Sequence, residues 1–206
     1  GIYQLLSPAL SLSFSLTAAG YQTAISKYVA ADSAKRPSGN LKPLLAGISI
    51  TLPLSLVTNA ILFFSADPIG IFLLKDHRTV PMLRILSFSV PFAALHACIN
   101  GYFYGKKKAS VPALTQLLEQ LARVSCVFLV TGADLAEGRT PSINAAVLGL
   151  TVGEIFSMLI ALVCLYIHLY PDSSILSLQN ICPSVPVYRD LLGMALPLTA
   201  NRIVLN

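Results

Sequence analysis

An all-α, polytopic helical membrane bundle is the fold class this sequence predicts, on three observations. Residues of the AVILMFWYC class make up 55% of the 206 residues and Asp, Glu, Lys and Arg only 11%, whereas a soluble domain carries roughly a quarter charged residues. The mean hydropathy is +0.72. The charges are also bunched: none falls between Gly1 and Ser26, between Pro43 and Ala66, or between Ile85 and Gly105. Uninterrupted apolar runs of about 20 residues match the thickness of a hydrocarbon core. Transmembrane β-strands would instead show about ten residues of strict alternation, which none of these runs has.

The elements follow in chain order. Span A covers residues 2–31, and residues 32–42 form a polar connection broken at Pro37, Ser38 and Gly39. Span B covers residues 44–66, carries Pro53 as an expected kink, and continues past Asp67-Pro68 into the apolar run 69–74. After a turn over residues 75–81, span C covers 82–104, bent at Pro91 and closed by Lys106, Lys107 and Lys108. Span D runs over residues 111–130, and a loop over 132–141 leads to span E at 142–170. A longer connection with Pro171, Pro183 and Pro186 leads to Arg189, and a sixth span starts over residues 190–206.

Loop charge sets the orientation, because cytoplasmic connections collect Lys and Arg. The A–B connection and its flank hold Lys27, Lys35, Arg36 and Lys42, and the C–D connection holds Lys106 to Lys108. The B–C and D–E loops mix Lys75, Arg78 and Arg139 with Asp67, Asp76, Asp134 and Glu137. The A–B, C–D and E–sixth connections are therefore expected in the cytoplasm, which puts Gly1 outside. In this context the net charge of +5 is a topology signal, and no nucleic-acid motif accompanies it. Cys98, Cys126, Cys164 and Cys182 are too far apart for a metal-ligand pair, and none is read as a disulfide. No cofactor or metal is expected. An opening without methionine and a close inside an apolar helix lead us to expect a fragment of a longer membrane protein.

Ionisable groups inside a membrane are costly and usually face a bundle interior or a wet cavity. Span D has four polar residues, Gln116, Glu119, Gln120 and Arg123, whose spacings of three and four put them on one helical face. One reading is a structural pair in which Glu119 neutralises Arg123. The other is a cavity wall touching a polar or anionic substrate, which four polar residues favour where two would suffice. In span E, Glu154 is either a packed partner for a neighbouring donor or a protonatable coupling site; no second acid stands near it in the sequence. His168 reads as a snorkelling end residue. Lys27 is a topology residue on a face shared with Gly20 and Thr23, with a cavity role as the alternative. Arg202, a lone cation deep in the sixth element, needs a partner, and an anionic ligand would serve. Gly101-x-x-x-Gly105 permits a close helix approach.

Two stretches carry a family resemblance. The run Ala19-Gly20-Tyr21-Gln22-Thr23-Ala24-Ile25-Ser26-Lys27-Tyr28-Val29-Ala30 resembles the AGIPTAISKLVAE segment of the stage V sporulation protein B group of polysaccharide flippases. Gly101-Tyr102-Phe103-Tyr104-Gly105, then Pro112-Ala113, Gln116, Glu119-Gln120 and Arg123, resembles that group's GYFQG…P.A.SQ..EQ..R stretch. Gly1-Ile2-Tyr3-Gln4-Leu5 and Leu196-Pro197-Leu198-Thr199-Ala200-Asn201-Arg202 are similar to the starts of its second and seventh helices. The departure is Tyr21-Gln22, where the group has an apolar residue and a proline.

The group belongs to the multidrug/oligosaccharidyl-lipid/polysaccharide exporter superfamily, so the resemblance implies part of the N-terminal lobe of a MATE-like transporter fold. Residues 1–188 would form an N-terminal bundle lacking its first helix, and residues 189–206 would start the second bundle. It also implies a multi-pass protein of the cytoplasmic membrane that flips lipid-linked sugars by alternating access. Arg123, Arg202 and Lys27 would then attract the diphosphate of a polyprenyl-linked substrate, and Gln116, Gln120 and Asn201 would bond its sugar hydroxyls. Glu154 would serve a coupling H+ or Na+. The nearest rival is a cation-coupled multidrug exporter of the same superfamily, which would concentrate acids and aromatics around an apolar pocket. A membrane enzyme acting on lipid carriers is a third reading. It would need paired acids, or His with an acid, near the membrane surface, and Asp67, Asp76 and His77 form no such motif.

Overall fold

A computed structural model describes residue 8 and residues 11–35, 41–138, 144–170 and 183–205, and every regular element among them is a helix. Helix α1 (Gly20–Lys35) is entered through helical residues 11–14 and a π-helical turn, Ser15–Ala19. Then come α2 (Lys42–Phe64), a short helical turn Ala66–Pro68 that passes into a π-helical turn Ile69–Leu73, and α3 (Thr79–Ser87). The remaining helices are α4 (Ser89–Gly105), α5 (Ser110–Ala136), α6 (Asn144–Leu169) and α7 (Val185–Leu205). Among the described residues, four helices are long and apolar enough to cross a membrane: Lys42–Phe64, Thr79–Gly105 (α3 with α4), Ser110–Ala136 and Asn144–Leu169.

Several boundaries move from the sequence expectation. The first helix runs through Asp32 to Lys35, so the polar connection starts later than residue 32. Span D extends to Ala136, and the last helix begins at Val185 because Pro186 occupies an early helical position, where its missing N–H costs nothing. The bend assigned to Pro91 falls at Phe88. A proline ring collides with the carbonyl four residues earlier, here Ser87, and Phe88 N–H bonds back to Ile85 O at 3.3 Å instead. Pro53 lies inside α2, which continues on both sides of it. The expectations for residues 1–7, for Arg36 to Asn40, for the loop at 139–143 and for 171–182 with Cys182 lie outside the described residues.

Helix α4 is the hub: 67% of the apolar window of the Thr79–Gly105 span is buried, against 11% for α5. Its central place comes from small residues. A Cβ built on Gly101 would stand 2.6 Å from the Gln22 carbonyl oxygen, and one on Gly105 would meet Val29 and the Ser26 carbonyl of α1. The α1–α4 crossing is thus one in which the backbones nearly touch, as the Gly101/Gly105 spacing allows. The core around it joins Ile25 and Val29 of α1, Leu44 of α2, Ile99, Tyr102 and Phe103 of α4, Ala161 of α6 and Leu191 of α7. Cys98 is buried in this core and shares a hydrogen bond with Thr51 Oγ1 at 3.2 Å. Helix α7 closes on α1 and α2, where Gly20 lies against Thr199 and Ala195, and Tyr188 bonds Ser49 at 2.9 Å.

Candidate functional site

Helices α5 and α6 lie side by side over much of their length, and a second glycine pair places the site between them. A Cβ on Gly149 would be 2.9 Å from the Arg123 carbonyl oxygen, and one on Gly153 3.2 Å from the Glu119 carbonyl oxygen. Gly149-x-x-x-Gly153 is legible in the sequence by the same rule as Gly101/Gly105, yet the sequence reading passes over it. The close approach brings the polar face of α5 against Glu154, one residue beyond Gly153.

On that face Arg123 Nη2 donates to Glu119 Oε1 at 2.6 Å, one helical turn apart. Glu119 is 8% exposed and Arg123 partly buried, and the buried Arg123 Nε has no hydrogen-bond partner among the described residues. Gln116 is exposed along a cavity, and Gln120 is exposed without lining it.

The sequence reading overlooks the centre of the site, His96 of α4. Its ring is buried, with Nε2 2.7 Å from Asn100 Nδ2, 2.9 Å from Ser157 Oγ and 3.2 Å from Thr115 Oγ1. Its Nδ1 lies 3.7 Å from Glu154 Oε2. Glu154, which has no second acid near it in the sequence, has one near it in the fold. One ligand atom from each of His96, Glu119 and Glu154 lies within 4.8 Å of the others, a group that could hold a cation. The two acids are 35 positions apart in sequence, and only the α5–α6 packing brings them together. The available signal was His96 with Asn100 one turn later, two polar residues inside a charge-free span.

Two hollows border the cluster, and Glu154 lines both. One of about 250 Å³ is lined by Gln22, His96, Asn100, Gln116, Glu119 and Glu154. Another of about 300 Å³ is lined by Thr17, Ser89, Arg123 and Glu154. Arg123 also lines an apolar groove of about 420 Å³ together with Val124, Val127 and Phe128.

The whole chain, residues 1–206, matches the model of a family described as polysaccharide biosynthesis protein. The chain belongs to the polysaccharide biosynthesis protein family. It is also similar to Stage V sporulation protein B of Bacillus subtilis (strain 168), with 31% identity over 207 residues that take in 100% of this chain and 40% of the relative. The chain thus spans less than half the length of that curated relative. No solved structure matches it.

In this polysaccharide biosynthesis family member the other candidate residues stay apart from the cluster. Lys27 is exposed in the middle of α1, and Asn201 and Arg202 are exposed on the last turns of α7; none of the three lines the hollows beside Glu154. His168 ends α6 against the rings of Tyr102 and Phe103, with Nδ1 3.1 Å from Lys108 Nζ. Lys106 lies over the Tyr102 ring at 5.9 Å, and burial holds its ammonium below the usual lysine range while Asp32 acts against that shift. Tyr21-Gln22, the departure from the family pattern, is regular helix, and the irregular turn lies just before it at Ser15–Ala19.

Proposed function

We propose that this family member forms part of a transporter that flips lipid-linked oligosaccharide or cell-wall polysaccharide precursors across the cytoplasmic membrane by alternating access. One observation carries the reading. Arg123 is an intramembrane cation that lines a hollow shared with Thr17, Ser89 and Glu154 and also lines a strongly apolar groove. A substrate with an anionic diphosphate between sugars and a polyprenyl tail has that same order of chemistry. Arg123 would draw the diphosphate, helped by Lys27 and Arg202, while Gln116, Gln120 and Asn201 would bond sugar hydroxyls. Glu154 would belong to the coupling-ion site, taking H+ or Na+. The charge asymmetry of the connections supports cytoplasmic A–B and C–D turns.

The drug-exporter reading gains one observation, the approach of Glu119 to Glu154. One experiment separates the two. The full-length protein is expressed in cells depleted of their own cell-wall-precursor flippase, and precursor exposed on the outer leaflet is labelled. Restored labelling that disappears in Arg123→Ala, with the variant still in the membrane, supports the flippase and the role of Arg123. Normal labelling in that variant removes Arg123 from the mechanism. No labelling with the unaltered protein, together with efflux of a cationic dye, supports the drug exporter instead.

A further inference from the structure

The charges around His96 do not balance. Glu119 and Glu154 are two carboxylates, Arg123 is one guanidinium, and the ion pairs among the described residues give Glu154 no partner but His96. With the imidazole neutral and both acids ionised the cluster carries one uncompensated negative charge in a membrane interior, a costly state that the uptake of one proton relieves. The other elements packed on α4 do not supply the missing charge. Among the described residues, helix α1 brings the neutral Gln22 to the hollow, and α2 and α3 bring no charged side chain to it.

The partners of His96 suit a proton that comes and goes. With the ring neutral, the Asn100 amide donates to Nε2 and Nδ1–H points toward Glu154. With Nε2 protonated, that N–H can donate to Ser157 Oγ, whose own hydrogen is directed to the Thr115 carbonyl at 3.3 Å. Asn100 can then turn its amide to offer Oδ1. An amide that flips and hydroxyls that rotate serve either state, so taking up a proton strands no buried polar group. His96 and Glu154 line the same polar hollow.

We propose that His96 is a proton-binding site, and that the coupling ion of the transporter reading is H+ carried on its imidazole as a His96–Glu154 ion pair linking α4 to α6. The inference deepens that reading and rests on it only for the word coupling. Sodium is the poorer fit. It prefers oxygen ligands, whereas this group offers an imidazole nitrogen at its centre, and the Arg123 guanidinium already occupies Glu119.

The test is a histidine-labelled NMR titration of the full-length protein in lipid nanodiscs, from about pH 5 to about pH 9. The His96 signal is the one missing from His96→Gln. The proposal expects this signal to titrate with a midpoint indifferent to sodium, and the midpoint to fall by about one unit in Glu154→Gln, a tenfold loss of proton affinity. A signal that stays flat across the range overturns the proposal, as does a midpoint displaced by sodium. His96→Asn is the second variant should the Gln form fail to accumulate in the membrane. The flippase reading fails separately: precursor labelling absent from the unaltered protein would sink it even where His96 titrates as expected. Labelling present with the same pH profile in His96→Gln would sink the coupling role alone.

Discussion

The unequal charge count makes the two partners of the Glu119–Arg123 pair unequal to lose. Removing one member of a buried ion pair typically costs about 3–5 kcal/mol, because the survivor keeps an uncompensated charge. The Arg123 side chain is 28% exposed and that of Glu119 10%, so solvent recovers part of the cost, and about 2–4 kcal/mol is expected for Arg123→Gln. That variant leaves two carboxylates facing one histidine. Glu119→Gln leaves Arg123 with Glu154 in the same hollow, an electrically balanced set, and is expected to cost only about 1 kcal/mol. The double variant removes both charges and places two amides one turn apart, where they can bond each other; its expected cost is also about 1 kcal/mol. The assay is the thermal midpoint of the detergent-solubilised full-length protein, followed as loss of its monodisperse chromatographic peak. The order expected is Arg123→Gln well below Glu119→Gln and the double variant. A Glu119→Gln midpoint at or below that of Arg123→Gln would refute the charge count, and so would a double variant worse than both singles.

Two further tests address the scaffold. Gly101→Ala should lower the midpoint by the equivalent of about 1–2 kcal/mol, since overpacking against the rigid Gln22 backbone costs about 1–3 kcal/mol and the gain in helix propensity returns at most about 1. Gly132→Ala, where a Cβ meets nothing within 4 Å, should hold or raise the midpoint, and equal effects at the two sites would contradict the close α1–α4 crossing. For orientation, a cysteine at Lys107 should react with an impermeant maleimide only after the membrane is opened, and one at Asp76 in intact cells. The reverse pattern would invert the topology.

Composition and charge spacing alone determined that this chain is a helical membrane protein and approximately where its helices lie, because a hydrocarbon core accepts only long runs whose backbone groups are bonded internally. They also marked Glu119, Arg123 and Glu154 as exceptions, since each charge interrupts an apolar run. Helix ends were less legible. Asp32 and residues 132–134 are polar or small enough to read as loop, yet they continue helices that have already started, where adding a residue is easier than nucleating. What only the tertiary structure decided is which exceptions meet. The spacing rule that groups residues on one helix says nothing about the rotation of the next, and that rotation comes from glycine contacts: Gly101 and Gly105 against α1, and Gly149 and Gly153 against α5. Those contacts turn Glu154 toward Glu119 and bury His96 between them. A histidine counted as neutral in the sequence thereby becomes, in the folded bundle, the group on which the charge balance of the site depends.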